Sequence, residues 1–279
     1  MQPLAMALPA DLPFYCFQDK GLDGSEPFES IEETARCYVD EIRQVQSHGP
    51  YYLGGTCYGG LVAFEMARRL EELGEPVAAL VLIDASNPTF VRSLSAREWL
   101  FRNVRFCMWR LAWHARRMLT QRPSEWLGYI SRLRKALRKH MGDSAERAAS
   151  REAEMIEAVP GTTVGENLKR VIHANFMAGS KFVVKPYGGG ALIFRSSARN
   201  FDPYDDYCLG WESVVRGDIE CFEIEGDHMS ILKEPNVRLM AEKLNAELAQ
   251  SPAGTGEACS SRLSSLASEV RTGIRSAQG

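Results

Sequence analysis

The 279 residues contain no apolar stretch long enough to span a bilayer, and Met1 is not followed by the charged, apolar and small-residue sections of a secretory signal. No integral membrane segment is therefore expected, and the cytoplasm is the default compartment. The seven cysteines, at positions 16, 37, 57, 107, 208, 221 and 259, show no C-x-x-C spacing, and several sit inside apolar runs. An oxidised framework is not expected, nor is a metal site. A surplus of positive charge is also missing: the net charge of -3 and pI near 6.0 give the whole molecule no electrostatic attraction for nucleic acid. Apolar residues at 45% and charged residues at 25% exclude a fibre or a disordered chain. No internal repeat is found.

What is present is an alternation of strand and helix signals. Pro13 to Gln18 is a short apolar run suited to a buried strand, ending in a Gly-Leu-Asp-Gly turn. Ser30 with Glu33 forms a capping box, and Ile31, Ala35, Tyr38, Val39, Ile42 and Val45 follow at helical spacing. Tyr51 to Gly55 reads as a strand running into a glycine-flanked turn. Beyond it, Leu61, Val62, Met66, Leu70 and Leu73 share one face of a helix. The unbroken apolar run Val77 to Ile83 predicts a strand buried on both faces of a parallel sheet. After a helical stretch from about 95 to 182, strands are predicted at Ala191 to Phe194 and Ile219 to Ile224, then a helix over 235–248.

This pattern predicts one α/β domain over 1–250, with a helical lid inserted at about 90–185 and a flexible, Ser- and Gly-rich tail over 251–279. The lid is chemically distinct. Between Arg97 and His140 there are twelve Arg and Lys against two Glu, so this segment carries +10 and the remainder about -13. Trp99, Trp109, Trp113 and Trp126 are interleaved with the charges, which fits lid packing, a solvated basic face or contact with anionic lipid.

The candidate chemistry begins at Gly55-Thr56-Cys57-Tyr58-Gly59, a nucleophile-elbow pattern with cysteine in the place of serine. Gly55 and Gly59 are expected to be glycine because side chains flanking so sharp a turn would collide with neighbouring elements. The N-terminal end of the following helix favours negative charge where an attacking sulfur would sit. A thiol nucleophile needs a base, and His228 follows a strand near the end of the core. His48 precedes a turn, and His114, His140 and His173 fall on lid helices. The imidazole in turn needs a carboxylate at a strand mouth. Asp84, ending the run from Val77, meets that need, with Asp202 as its rival; Asp227 is expected to shape the histidine loop.

At these residues the chain resembles the thioesterase domains of nonribosomal peptide and polyketide synthases, a branch of the α/β-hydrolase superfamily. The resemblance rests on Phe17-Gln18 with Gly21 to Gly24, Tyr52 to Gly60, Leu82-Ile83-Asp84 and Gly226 to Ser230, and covers roughly residues 3–250. It implies an acyl-enzyme on Cys57 with Asp84 and His228 as partners, no cofactor of its own, and a substrate carried on the phosphopantetheine of an acyl or peptidyl carrier protein. The acid of that family follows the strand after the elbow helix, as Asp84 does here, 27 residues beyond Cys57. An acidic carrier helix would be steered by the basic lid.

Two departures set the rival expectations. Cysteine replaces the family's usual serine. The family's first strand and glycine loop, which supply the second oxyanion amide, also precede the point where this chain starts. The Tyr58 amide is then the donor left, and the loss of one donor costs about 10² to 10³ in rate. Beside hydrolysis stand acyl transfer or cyclisation onto an amine or hydroxyl, and a catalytically silent relic that binds carrier protein alone.

Overall fold

The computed structural model describes residues 2–9, 12–98, 100–102, 104, 108, 163–197 and 206–250. Most of the expected lid and the whole expected tail lie outside the described residues. The elements within them are α1 (Gln2–Ala7), α2 (Ile31–Val45), β1 (Tyr51–Thr56), α3 (Tyr58–Glu72), β2 (Val77–Ile83), α4 (Pro88–Ser93), α5 (Thr163–Lys181), β3 (Ala191–Ser196), β4 (Ile219–Ile224) and α6 (Asn236–Gln250). The four strands form one parallel sheet in the order β1-β2-β3-β4.

Parallel strands need helices on both faces, and the two apolar clusters show how these are supplied. On one face, Ile31, Ala35 and Val39 of α2 and Leu61, Phe64 and Leu70 of α3 pack with Leu53, Leu80, Leu82 and Ile193 of the sheet. On the other, Leu4 of α1 and Val237, Met240, Ala241 and Leu244 of α6 cover Ile83, Phe194 and Ile224. The result is an α/β/α sandwich of α/β-hydrolase type. α2 starts as its capping box predicts, the Ser30 side chain accepting from the Glu33 amide at 3.2 Å.

The Pro13 to Gln18 run is not a strand. Its residues are exposed and belong to no ladder, and Phe17 is held instead by stacking on Tyr38, with ring centroids 4.1 Å apart. Apolar content alone had suggested the strand, but β-structure also requires a neighbour to pair with, and β1 is the last strand on that side of the described sheet. The cysteines differ from expectation too. Cys208 and Cys221 are joined by a disulfide, with Cα atoms 5.9 Å apart, while Cys16, Cys37 and Cys57 are free. The turn that brings Cys208 alongside β4 is a tertiary feature, so a spacing of thirteen residues carried no signature of it.

Inside the packing, α3 carries a charged pair. Glu65 is buried and its two oxygens accept from Arg68 at 2.7 and 2.8 Å; the same guanidinium reaches Glu72. Removing one partner of a buried pair strands the other. Glu65→Ala is therefore expected to lower the unfolding free energy by about 3 kcal/mol in urea denaturation. A loss below about 1 kcal/mol would mean that Glu72 alone satisfies Arg68.

Candidate active site

β1 and β2 run parallel with Thr56 opposite Ile83, so the residues that follow them, Cys57 and Asp84, leave the sheet side by side. Both adopt positive φ, 49° and 50°. Such backbone costs a non-glycine residue about 1–3 kcal/mol and persists only where its surroundings impose it. Here the ladder does so: the Cys57 amide donates to the Ile83 carbonyl at 3.0 Å and the Asp84 amide to that of Phe194 at 2.7 Å.

The turn at Cys57 is tight enough to demand glycine, though not at both expected positions. A Cβ on Gly55 would lie 2.1 Å from the Gly59 carbonyl oxygen, whereas one on Gly59 would meet nothing within 4 Å. The second crowded position is Gly60, where a Cβ would fall 2.5 Å from that of Ala85. Thus the requirement read from the elbow pattern holds for Gly55 and shifts from Gly59 to Gly60, where α3 presses on the segment after Asp84. Tyr58 opens α3, and no side chain caps that helix at Cys57, so its amide belongs to the first-turn donors that a helix leaves for other acceptors.

Asp84 is fully buried. Its Oδ1 accepts the Ser196 amide at 2.9 Å, and its Oδ2 accepts both the Ser196 hydroxyl at 3.1 Å and Nδ1 of His228 at 2.7 Å. The Cys57 side chain also favours the charged imidazole. These contacts push the His228 pKa up to about 10, first through the Asp84 bond and then through Cys57, against the opposing effect of burial. Cys57 is exposed. A buried carboxylate, an imidazole bonded to it and an exposed cysteine are thus gathered at one end of the sheet, an arrangement able to support covalent acyl transfer.

The supports of this arrangement come from distant parts of the chain. The Ser197 hydroxyl accepts the Gly226 amide at 3.0 Å, tying the histidine loop to the end of β3. Asp227 accepts from the amides of Met229 at 3.0 Å and Ser230 at 2.9 Å, which folds that loop on itself. Behind Asp84, Trp211 Nε1 donates to the Ala85 carbonyl at 2.7 Å, and Asn87 bonds the Leu209 and Gly210 carbonyls, each at 2.9 Å. On the elbow side the Tyr58 hydroxyl lies 3.2 Å from that of Thr34, and burial pushes its pKa up to about 12.

His48 stands apart from this cluster, 2.9 Å from Glu75, and His173 lies on α5. Asp202, His114, His140 and the four lid tryptophans lie outside the described residues. Ser196, Ser197, Trp211 and Gly60 were not singled out from sequence. Gly60 adjoins the elbow and could have been suspected, but the others act through long-range contacts that no local motif records.

The profile of the thioesterase domain matches residues 2–248, nearly the whole chain. The chain belongs to the thioesterase domain family. Among curated relatives, this thioesterase domain is 28% identical over 244 residues to a non-reducing polyketide synthase of Nectria sp., covering 81% of the chain and 11% of that protein. It is 43% identical over 96 residues to the malpinin synthetase of Mortierella alpina, covering 34% of the chain and 1% of that protein. The domain therefore spans about a tenth or less of the length of these relatives. Among solved structures it resembles the NocB thioesterase domain in covalent complex with a fluorophosphonate nocardicin G analog, at TM-score 0.58, 18% identity and 88% coverage of each chain. The surfactin-cyclising thioesterase domain SrfTE gives TM-score 0.53 and 19% identity, covering 81% of this chain and 80% of that one. At such identities the structural likeness speaks for the fold.

Two outcomes follow from this geometry. Gly55→Ala in the thioesterase domain is expected to lower the melting temperature sharply, because its Cβ would meet backbone, whereas Gly59→Ala is expected to change it little. Equal effects would refute the steric assignment. A histidine whose folded pKa is raised contributes stability that is complete below its ordinary value of 6.5 and fades as pH rises through about 10. The stability difference between wild type and His228→Gln should accordingly be greatest near about pH 6 and shrink across that window. A difference constant with pH would show that the imidazole is not held charged.

Proposed function

We propose that this thioesterase domain releases an acyl, polyketide or peptidyl chain from the phosphopantetheine thioester of a carrier protein through a covalent acyl-Cys57 intermediate. The observation that carries the reading is the 2.7 Å bond between the buried Asp84 carboxylate and His228, whose imidazole is held charged by that carboxylate and by the exposed Cys57. The synthase relatives support the source of the substrate, since a domain embedded in such proteins receives chains from neighbouring carriers.

In this reading Cys57 passes its proton to His228 and its sulfur attacks the thioester carbonyl. The developing oxyanion faces the Tyr58 amide at the N-terminus of α3. Collapse of the tetrahedral adduct breaks the bond to the carrier sulfur, which leaves with the proton held by His228. Asp84 stabilises the imidazolium throughout and fixes its tautomer. Water, amine or hydroxyl then attacks the acyl-enzyme, losing its proton to His228 as Cys57 departs.

The cysteine favours a particular acceptor. Exchange of one thioester for another is nearly thermoneutral, whereas acylation of a serine yields a more stable oxygen ester. A thioester remains more reactive toward amines, because sulfur donates less electron density to the carbonyl and leaves more readily. Aminolysis or cyclisation through nitrogen therefore gains on hydrolysis when an amine is available.

Incubation with an acyl-N-acetylcysteamine substrate is expected to add one acyl mass to the protein, removable by hydroxylamine and absent in Cys57→Ala. Asp84→Asn should slow turnover by about 10⁴-fold, because an amide cannot stabilise the imidazolium. A Cys57→Ala protein that turns over as fast as wild type would overturn the nucleophile. An unchanged amide-to-acid ratio in Cys57→Ser would remove the argument for aminolysis and leave the acyl-enzyme standing.

A further inference from the structure

Oδ2 of Asp84 is shared. It takes the imidazole N–H of His228 at 2.7 Å and the hydroxyl of Ser196 at 3.1 Å, while the amide of the same serine holds Oδ1 at 2.9 Å. One residue thus grips both oxygens of a carboxylate with no exposure to solvent, and that residue is itself buried. We propose that Ser196 is a positioning residue that fixes the plane of the Asp84 carboxylate and moderates the negative charge offered to His228. The inference rests on the reading of Asp84 and His228 as the acid and base of the relay.

The placement of Ser196 follows from the sheet. It is the last residue of β3, paired with Ile224 at the end of β4, and β2 lies on its other side with Ile83 opposite Phe194. The main chain of Ser196 is fixed by this pairing, so its amide reaches Oδ1 whatever side chain it carries. The hydroxyl is the separable part. A donor to a carboxylate disperses its charge, and a carboxylate relieved of a donor attracts a neighbouring cation more strongly. Loss of the hydroxyl should therefore remove one donor from Oδ2, raise the affinity of His228 for its proton, and loosen the hold on the plane of the carboxylate.

Among the described residues the titratable groups acting most strongly on the imidazole are Asp84, from the end of β2, and Cys57, at the elbow. Asp227, next to it in the chain, is turned into its own loop by the amides of Met229 and Ser230. Ser196 and Ser197, from the end of β3, carry no charge. An upward shift on removal of the Ser196 hydroxyl can thus be assigned to Asp84.

The test uses the full chain with Ser196→Ala and Ser196→Thr, read by NMR titration of the His228 imidazole and by the pH dependence of Cys57 acylation with an acyl-N-acetylcysteamine. Ser196→Ala is expected to raise the imidazole ionisation and slow acylation by about tenfold, the lower end of the worth of a hydrogen bond to a charged group. Ser196→Thr, which keeps the hydroxyl, should restore both toward wild type. An unshifted imidazole in Ser196→Ala would overturn the proposal even if the rate fell, since lost packing alone gives that result. Asp84→Asn separates the two readings. If it acylates as fast as wild type, the relay itself is wrong; if it is disabled while Ser196→Ala is unchanged in both measures, the role of Ser196 alone fails.

Discussion

Everything at the site depends on the parallel register of the sheet. Thr56 opposite Ile83, Ile83 opposite Phe194 and Phe194 opposite Phe222 bring the C-terminal ends of four strands to one edge. Residues far apart in sequence then emerge together: Cys57 after β1, Asp84 after β2, Ser196 at the end of β3, and His228 on the loop after β4. Open parallel sheets gather ligand sites at this edge because consecutive strands reach it in the same direction. A register slip of one residue between β1 and β2 would turn the side chains of one strand to the opposite face and separate thiol from carboxylate.

The same edge is where the structure concentrates its costs. Two non-glycine residues, Cys57 and Asp84, take backbone that side chains rarely adopt, and a carboxylate is withdrawn from water. Neither could persist on a mobile loop. The ladder bonds from their amides, the Ser196 and His228 donors on Asp84, and the Trp211 and Asn87 contacts behind it oppose relaxation from several directions at once. That the 206–211 turn is also joined to β4 through Cys208 and Cys221 adds a covalent tie to the same region.

How much of this was legible depended on whether the physics was local. The elbow could be read because a strand, a glycine-flanked turn and a helix follow one another within a short stretch, and Asp84 because an apolar run ending in an acid marks a strand mouth. His228 could be read for a related reason, as the histidine that follows a core strand. The requirement for glycine was misplaced at Gly59 because it depends on what stands opposite the turn, namely Ala85 opposite Gly60. The Pro13 to Gln18 run was misread as a strand because pairing is a property of two segments. Ser196 and the Cys208–Cys221 link carry no pattern at all, being products of chain segments that meet after folding.

The charge state of His228 bears on why a cysteine suits this elbow. A histidine acting as base toward a serine hydroxyl must be neutral before the reaction, since a hydroxyl gives up its proton only as it attacks. An imidazole held protonated to about pH 10 by a buried carboxylate and a neighbouring sulfur is poorly disposed to that task. A thiol differs, because it is a far stronger acid than a hydroxyl and so asks less of its base. On the proposed mechanism, serine in place of Cys57 would remove the sulfur that helps to hold His228 charged and would also demand more of it as a base. The two effects oppose each other, and their balance is set by how strongly Asp84 pulls on the imidazole, which is the quantity assigned above to the hydroxyl of Ser196.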